Sequence, residues 1–281
     1  MSGDVLTPAE TERLAAAADR IRHRVVDLCA SAVGGHLGGA LSCVDILTVL
    51  YFSVLRIDPG RPDAPDRDVF VLGKGHAAVG LYAALAERGF FDPGELAGYG
   101  VDGSRFMGHP VTAVPGVEVP TGSLGHGLSL GLGFALAARL DRSPRTVYVL
   151  VGDGELQEGS CWEAIMCAAA QGVPNLVAVV DRNGMQLGSP TESVCALEPL
   201  AQRWRDFGWR VREVDGHDHS SLRAALRADP EGPTAVLAET VKGRGLPFAA
   251  GQAKSHYATL SPRMRERAHR ALRSGRKPGP S

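Results

Sequence analysis

Apolar residues recur at helical spacing near the start of the chain. Leu14, Ala17, Ile21, Val25 and Leu28 follow Thr7-Pro8-Ala9-Glu10, which combines an N-cap, a proline at the first helical position and a capping-box glutamate. This predicts one long amphipathic helix stopping near Gly34-Gly35. Ser42-Cys43-Val44-Asp45 opens a second helix in the same way, running to about Leu55. Beyond it the period changes. Short strand-like runs at Val69–Leu72, Val147–Val151, Leu176–Val180, Arg210–Val214 and Ala235–Glu239 alternate with helical stretches at Ala77–Arg88, Leu124–Leu140, Gly159–Gln171, Leu197–Phe207 and Ser220–Arg227. Strands alternating with helices imply βαβ units. The expected fold is α/β: a parallel sheet flanked by helices on both faces. No linker or repeat breaks the pattern, so one domain over 1–273 is expected, with a disordered tail over 274–281, rich in Gly, Pro and basic residues.

Composition narrows the function classes. The 281 residues are 44% apolar and 22% charged, ample for a large core in a water-soluble protein. Thirty basic residues stand against 31 acidic ones, so there is no net field to attract nucleic acid or an anionic membrane, and neither is expected as a partner. The five cysteines (29, 43, 161, 167, 195) form no C-x-x-C pair and are expected to be reduced and mostly buried. The first 20 residues lack an apolar segment and no run approaches membrane-spanning length, which points to a cytoplasmic protein.

Candidate chemistry gathers where predicted strands end, the place where open α/β sheets bind ligands. Strand Val147–Val151 runs into Gly152-Asp153-Gly154, and Leu176–Val180 runs into Asp181-Arg182-Asn183-Gly184. Either alone reads as a tight turn. On consecutive strands, with 28 residues between Gly154 and Asn183, they offer hard oxygens from Asp153 and Asn183 beside glycines that admit a phosphate. Mg²⁺ takes such ligands and completes its octahedron with phosphate oxygens and water; the Met185 carbonyl is the chosen third protein ligand.

The segment Gly152-Asp153-Gly154-Glu155-Leu156-Gln157-Glu158-Gly159-Ser160-Cys161-Trp162-Glu163-Ala164 resembles the cofactor signature of transketolases, especially those built from two separate subunits. The resemblance runs from His36 to His256. It takes in Gly34-Gly35-His36-Leu37-Gly38-Gly39, Gly75-His76, Gly108-His109-Pro110, Thr121-Gly122-Ser123-Leu124-Gly125-His126-Gly127 and Lys242-Gly243-Arg244-Gly245. It implies a thiamine diphosphate-binding (pyrophosphate) domain, with thiamine diphosphate and Mg²⁺ as cofactors. By resemblance His76 and His256 contact the diphosphate, His36 and His256 lie near the reacting carbonyl, and His109 faces the donor's hydroxyls. Gly122 (through its backbone) and Leu124 line the aminopyrimidine side, and Ser123 also contacts the cofactor. Glu158 either joins a carboxylate network at a subunit interface or serves as an ordinary first-turn helix carboxylate. For His126 a loop-bracing role stays open. His23, His217, His219 and His269 lack motif context and are taken as structural or exposed.

The implied reaction passes a two-carbon ketol unit from a ketose or ketose phosphate to an aldose. In the family a glutamate from another domain activates the cofactor, so the resemblance implies a second subunit with the pyrimidine-binding and C-terminal domains, in an α2β2 assembly. Four departures from the family pattern stand out: His126 for glutamine, Gly188-Ser189 for Asp-Gly, Ser255-His256-Tyr257 for a Trp-His-Gly-like segment, and Leu37 at a common proline site. They raise a specialised donor outside the usual sugar phosphates. Alternatives are the α chain of a 2-oxo acid dehydrogenase, a non-catalytic assembly subunit, or one half of a deoxyxylulose-phosphate-synthase-like enzyme. A Rossmann dehydrogenase ranks lower, because no G-x-G-x-x-G opens a helix after a strand.

Overall fold

The computed structural model describes residues 6–275. Helix α1 (Pro8–Cys29) starts on the expected capping box and ends at Cys29, five residues ahead of the Gly34-Gly35 stop. The second helical segment begins earlier than predicted: α2 (Leu37–Ser42) precedes α3 (Val44–Val49), which continues as a wide turn over Leu50–Val54. The two glycines at 38 and 39 disguised that first turn, where every residue is buried and packing outweighs propensity.

Strands β1 (Val69–Leu72), β2 (Val147–Gly152), β3 (Leu176–Arg182), β6 (Arg210–Asp215) and β7 (Thr234–Glu239) make one parallel sheet in the order β1-β2-β3-β7-β6. Between β3 and β6 the short antiparallel pair β4 (Met185–Gln186) and β5 (Ser189–Pro190), which sequence patterning missed, is followed by α7 (Thr191–Val194) and α8 (Leu200–Asp206). Alternate strand residues feed two cores. Phe70, Leu72, Leu150, Val177 and Val236 pack against α1, α3, α4 (Ala78–Arg88) and α9 (His219–Ala225). Val71, Val149, Val151, Val180 and Leu237 pack under α5 (His126–Leu140), α6 (Gly159–Ala170) and α8. Burial on both faces explains the unbroken apolar runs. Edge strand β6 instead alternates Arg210, Arg212 and Glu213 with valines, and such charges discourage edge-to-edge pairing.

Helix α5 starts at His126 rather than Leu124, because Gly125 sits at φ +88° before it. Helix α10 (Pro262–Arg273) was not predicted, although Ser261-Pro262 repeats the start signal of α1. The expected tail begins in described residues, where Ser274 caps α10; 276–281 lie outside the described residues. The cysteines are all free and, as expected, mostly buried: Cys29, Cys43 and Cys161 lie inside, while Cys167 and Cys195 are exposed. Among the described residues no helix is long and apolar enough to cross a membrane.

Candidate functional site

Parallel pairing aligns the strand ends. Leu72 lies beside Leu150, Gly152 beside Asp181, and Asp181 beside Ala238, so the loops after β1, β2, β3 and β7 open on one edge of the sheet. There they surround a cavity of about 350 Å³ lined in part by His36, His76, Asp153, Asn183, Lys242 and His256. Gly122, Leu124, Gly152, Gly154, Glu158 and Met185 also line it. Ser123 is exposed and absent from the lining. His109 is also exposed, but its ring centroid lies 6.2 Å from that of His36. A Cβ on Gly122, whose φ is +147°, would stand 2.7 Å from His109 Cδ2, so only glycine lets the two loops approach.

One wall carries oxygens. Asp153 is 1% exposed; its Oδ1 accepts from the Gly154 N–H at 2.9 Å, its Oδ2 from the Gly184 N–H at 2.6 Å and from Arg182 at 3.2 Å. Burial, with Asp181 close by, pushes the Asp153 carboxyl up despite these donors. Arg182 also holds Glu192 and Glu198, so the oxygen wall is tied to the α7 excursion. The Asn183 amide oxygen accepts from the Met185 N–H at 3.2 Å, and the Gln186 side-chain oxygen is buried without a hydrogen-bond partner among the described residues. A carboxylate, an amide oxygen and an unpartnered amide oxygen around one cavity suit a hard cation. None of these is the imidazole or thiolate that softer metals favour.

The other wall carries nitrogens. His36 stands centrally, its ring centroid 5.2 Å from His76 and 5.1 Å from His256. Burial, followed by His256, lowers His36 to about 4, and burial with Lys74 lowers His76 to about 2; His256 is lowered by burial and Lys242. All three rings are therefore neutral at pH 7, each able to donate one proton and accept another. Positive charge comes from two lysines to which the sequence motifs assigned no role. Lys74 is 1% exposed and bonds Asp181, Ser42 and Gly39; against the cost of burial, Asp181 holds it protonated. Lys242, 3% exposed, donates to the Leu187 carbonyl at 3.0 Å and lies 3.5 Å from His256 Nδ1.

Glu155 was likewise missed as a cavity residue. Its carboxylate accepts from the Gly125 and Gly152 N–H groups, each at 3.1 Å, and so clamps the Thr121–Gly127 loop to the end of β2. Burial pushes its carboxyl up to about 7, although both donors pull it down. Lys74, Lys242 and Glu155 all sit in or beside the family motifs, but only tertiary placement shows that they face the cavity. His126 stands outside the lining, exposed, with Nδ1 3.3 Å from the Leu124 carbonyl.

The remaining histidines are held elsewhere. His217 Nδ1 lies 2.8 Å and His219 Nε2 2.9 Å from the buried Asp45, which Arg22 also contacts, and His217 Nε2 accepts from the Val241 N–H. His23 stacks on His269, and His269 reaches Asp27.

Residues 14–275 match the family described as the thiamine diphosphate binding domain of transketolase. The chain is 40% identical over 266 residues to one of the named subunits of the apulose-4-phosphate transketolase from Phocaeicola vulgatus, covering 94% of this chain and 95% of that protein. It is 41% identical over 235 residues to SqwG, named as a 6-deoxy-6-sulfo-D-fructose transketolase subunit, from a Clostridium species, covering 82% and 85%. The transketolase structure from Leishmania mexicana superposes with a TM-score of 0.86 at 31% identity, over 95% of this chain but only 42% of that one. With its cavity at the strand ends and its motifs in place, the chain belongs to the transketolase family, in which it is a thiamine diphosphate binding domain.

Proposed function

We propose that this chain is the thiamine-diphosphate-binding subunit of a two-subunit transketolase, moving a two-carbon ketol unit from a ketose to an aldose once a second subunit completes its site. The observation that carries it is the gathering of two kinds of group around one cavity: the oxygen-bearing Asp153, Asn183 and Met185 together with the nitrogen-bearing His36, His76, His256 and Lys242. Mg²⁺ would be held by the Asp153 carboxylate, the Asn183 amide oxygen and the Met185 carbonyl. Lys242 and His76 would grip the diphosphate, with Gly152 and Gly154 leaving it room and Gly122, Leu124 and Glu158 against the ring system. When bound, the thiazolium supplies the carbon nucleophile that the protein lacks. His36 and His256, neutral and adjacent, hold or pass a proton at the reacting oxygen. His109, exposed at the mouth, binds donor hydroxyls.

Several features support a partner. The chain covers nearly the whole length of relatives named as one subunit of a transketolase. Leu130 and Met166 are exposed on the contacting helices α5 and α6, an apolar surface suited to docking. Glu158 is exposed at the cavity edge, where an incoming subunit would meet it. Two copies of each subunit form the expected assembly. The names of the relatives put anionic, modified ketoses first among the donors to screen.

Calorimetry on the purified two-subunit complex tests the oxygen wall. Asp153→Ala is expected to weaken thiamine diphosphate binding in Mg²⁺ by more than about a hundredfold, beyond the usual cost of losing a ligand's supporting contact. Undiminished affinity would overturn the metal assignment. Full ketol transfer by the chain free of any second subunit would overturn the partnership.

A further inference from the structure

Tyr257 is an aromatic ring held at both ends in a place where a free surface residue would be loose. It is 51% exposed, yet its ring meets the His36 ring edge-on at 4.8 Å, and its hydroxyl donates to the Val33 carbonyl. The backbone beside it is pinned as well: the Gly35 N–H donates to the Ala258 carbonyl at 3.0 Å, and the Ala258 N–H to the Gly35 carbonyl at 2.9 Å. The ring is not itself among the residues lining the cavity, but it packs against His36, which is, and about half of it faces solvent. Val33, 42% exposed, extends the same apolar edge. His256, the preceding residue in the chain, lines the cavity itself. Nothing in the histidine and oxygen walls requires an aromatic group here. A small residue would leave the His36 ring uncovered on that side.

We propose that Tyr257 is a specificity-determining residue, a fixed wall at the cavity mouth that limits the length of the aldose the site accepts. This rests on the ketol-transfer function proposed above. A rigid wall discriminates by excluding the extra carbons of a longer chain, and differences of one or two such groups are worth about tenfold to a few hundredfold in kcat/KM. The discrimination falls mainly in KM for the longer acceptor, since the wall is met before any bond changes.

The test uses the assembled two-subunit complex, one ketose donor that the wild type accepts, and hydroxyaldehyde acceptors of two to five carbons. Tyr257→Gly is expected to raise the ratio of kcat/KM for the five-carbon over the two-carbon acceptor by about tenfold or more. Tyr257→Phe keeps the ring and is expected to leave that ratio within about threefold. Calorimetric affinity for thiamine diphosphate should be the same in all three proteins. An unchanged ratio in the glycine variant would overturn the proposal, as would an equal shift in the phenylalanine variant. A uniform loss over all acceptors together with loss of cofactor affinity would do so too. Wild-type transfer to any acceptor reports separately on the underlying function.

Discussion

Two sets of histidines share one sheet edge and differ in what faces them. His217 and His219 both end on Asp45, a carboxylate 3% exposed that also receives Arg22. His36, His76 and His256 have one another and Lys242 as neighbours, and among the described residues no carboxylate bonds to any of them. A buried histidine with its own carboxylate has a fixed tautomer and spent donors, so it braces structure. One without keeps donor and acceptor capacity for something that enters. The difference teaches that imidazoles in this fold are read by their partners, since burial and position hardly separate them.

The comparison is broken most forcefully at Asp45. Asp45→Ala leaves Arg22, His217 and His219 without their acceptor and is expected to cost about 3–5 kcal/mol in urea unfolding. His36→Ala, which strands no charge, is expected to cost about 1 kcal/mol or less. Equal losses would dissolve the distinction between bracing and open histidines.

His109→Ala sharpens it in function. Calorimetry should find thiamine diphosphate affinity kept, while kcat/KM for the ketose donor falls about a hundredfold, or roughly 2.7 kcal/mol of transition-state binding. Loss of cofactor affinity with unaltered kinetics would reverse the division of labour among the histidines.

The last test is a pH slope. His36 titrates near 4 in the fold, lowered first by burial, against about 6.5 in an unfolded chain. Between those values the unfolded chain binds more protons, so this contribution to stability is complete above pH 6.5 and is lost as pH falls toward 4. Because His76 is lowered in the same direction, melting temperature should drop over this interval, and the drop should be shallower in His36→Gln. A slope untouched by the substitution would show that acid lability arises elsewhere.

The sequence made the sheet legible because every strand but one is covered on both faces, which leaves runs such as Val147–Val151 free of charged residues. It made Asp153 and Asn183 legible because they follow strands directly and sit beside glycines. Lys74, Glu155 and Lys242 were harder. A charged residue in a loop is normally solvated, and the burial of Lys74 depends on Asp181, 107 positions away in the chain. The role of His217 depends in the same way on Asp45, which an N-terminal helix supplies. Helix α10 is a different case: its Ser261-Pro262 start was readable, but its strongly charged sequence gave little apolar periodicity to follow.

The strand order carries a consequence for how the molecule comes into being. β7, the last strand in chain order among the described residues, lies in the interior of the sheet between β3 and β6. Until residues 234–239 are available, β3 has an unpaired side and β6 has no neighbour, so the sheet cannot close from its N-terminal end. The cavity is bound to the same order, drawing His36 from the first helices and Lys242 and His256 from beyond β7. Contacts of such sequence separation form slowly, because loop closure must be met before they stabilise anything. On the ribosome the binding site therefore forms only after residues up to His256 have emerged, and thiamine diphosphate can act as a ligand of the assembled sheet but not as a template for an early intermediate.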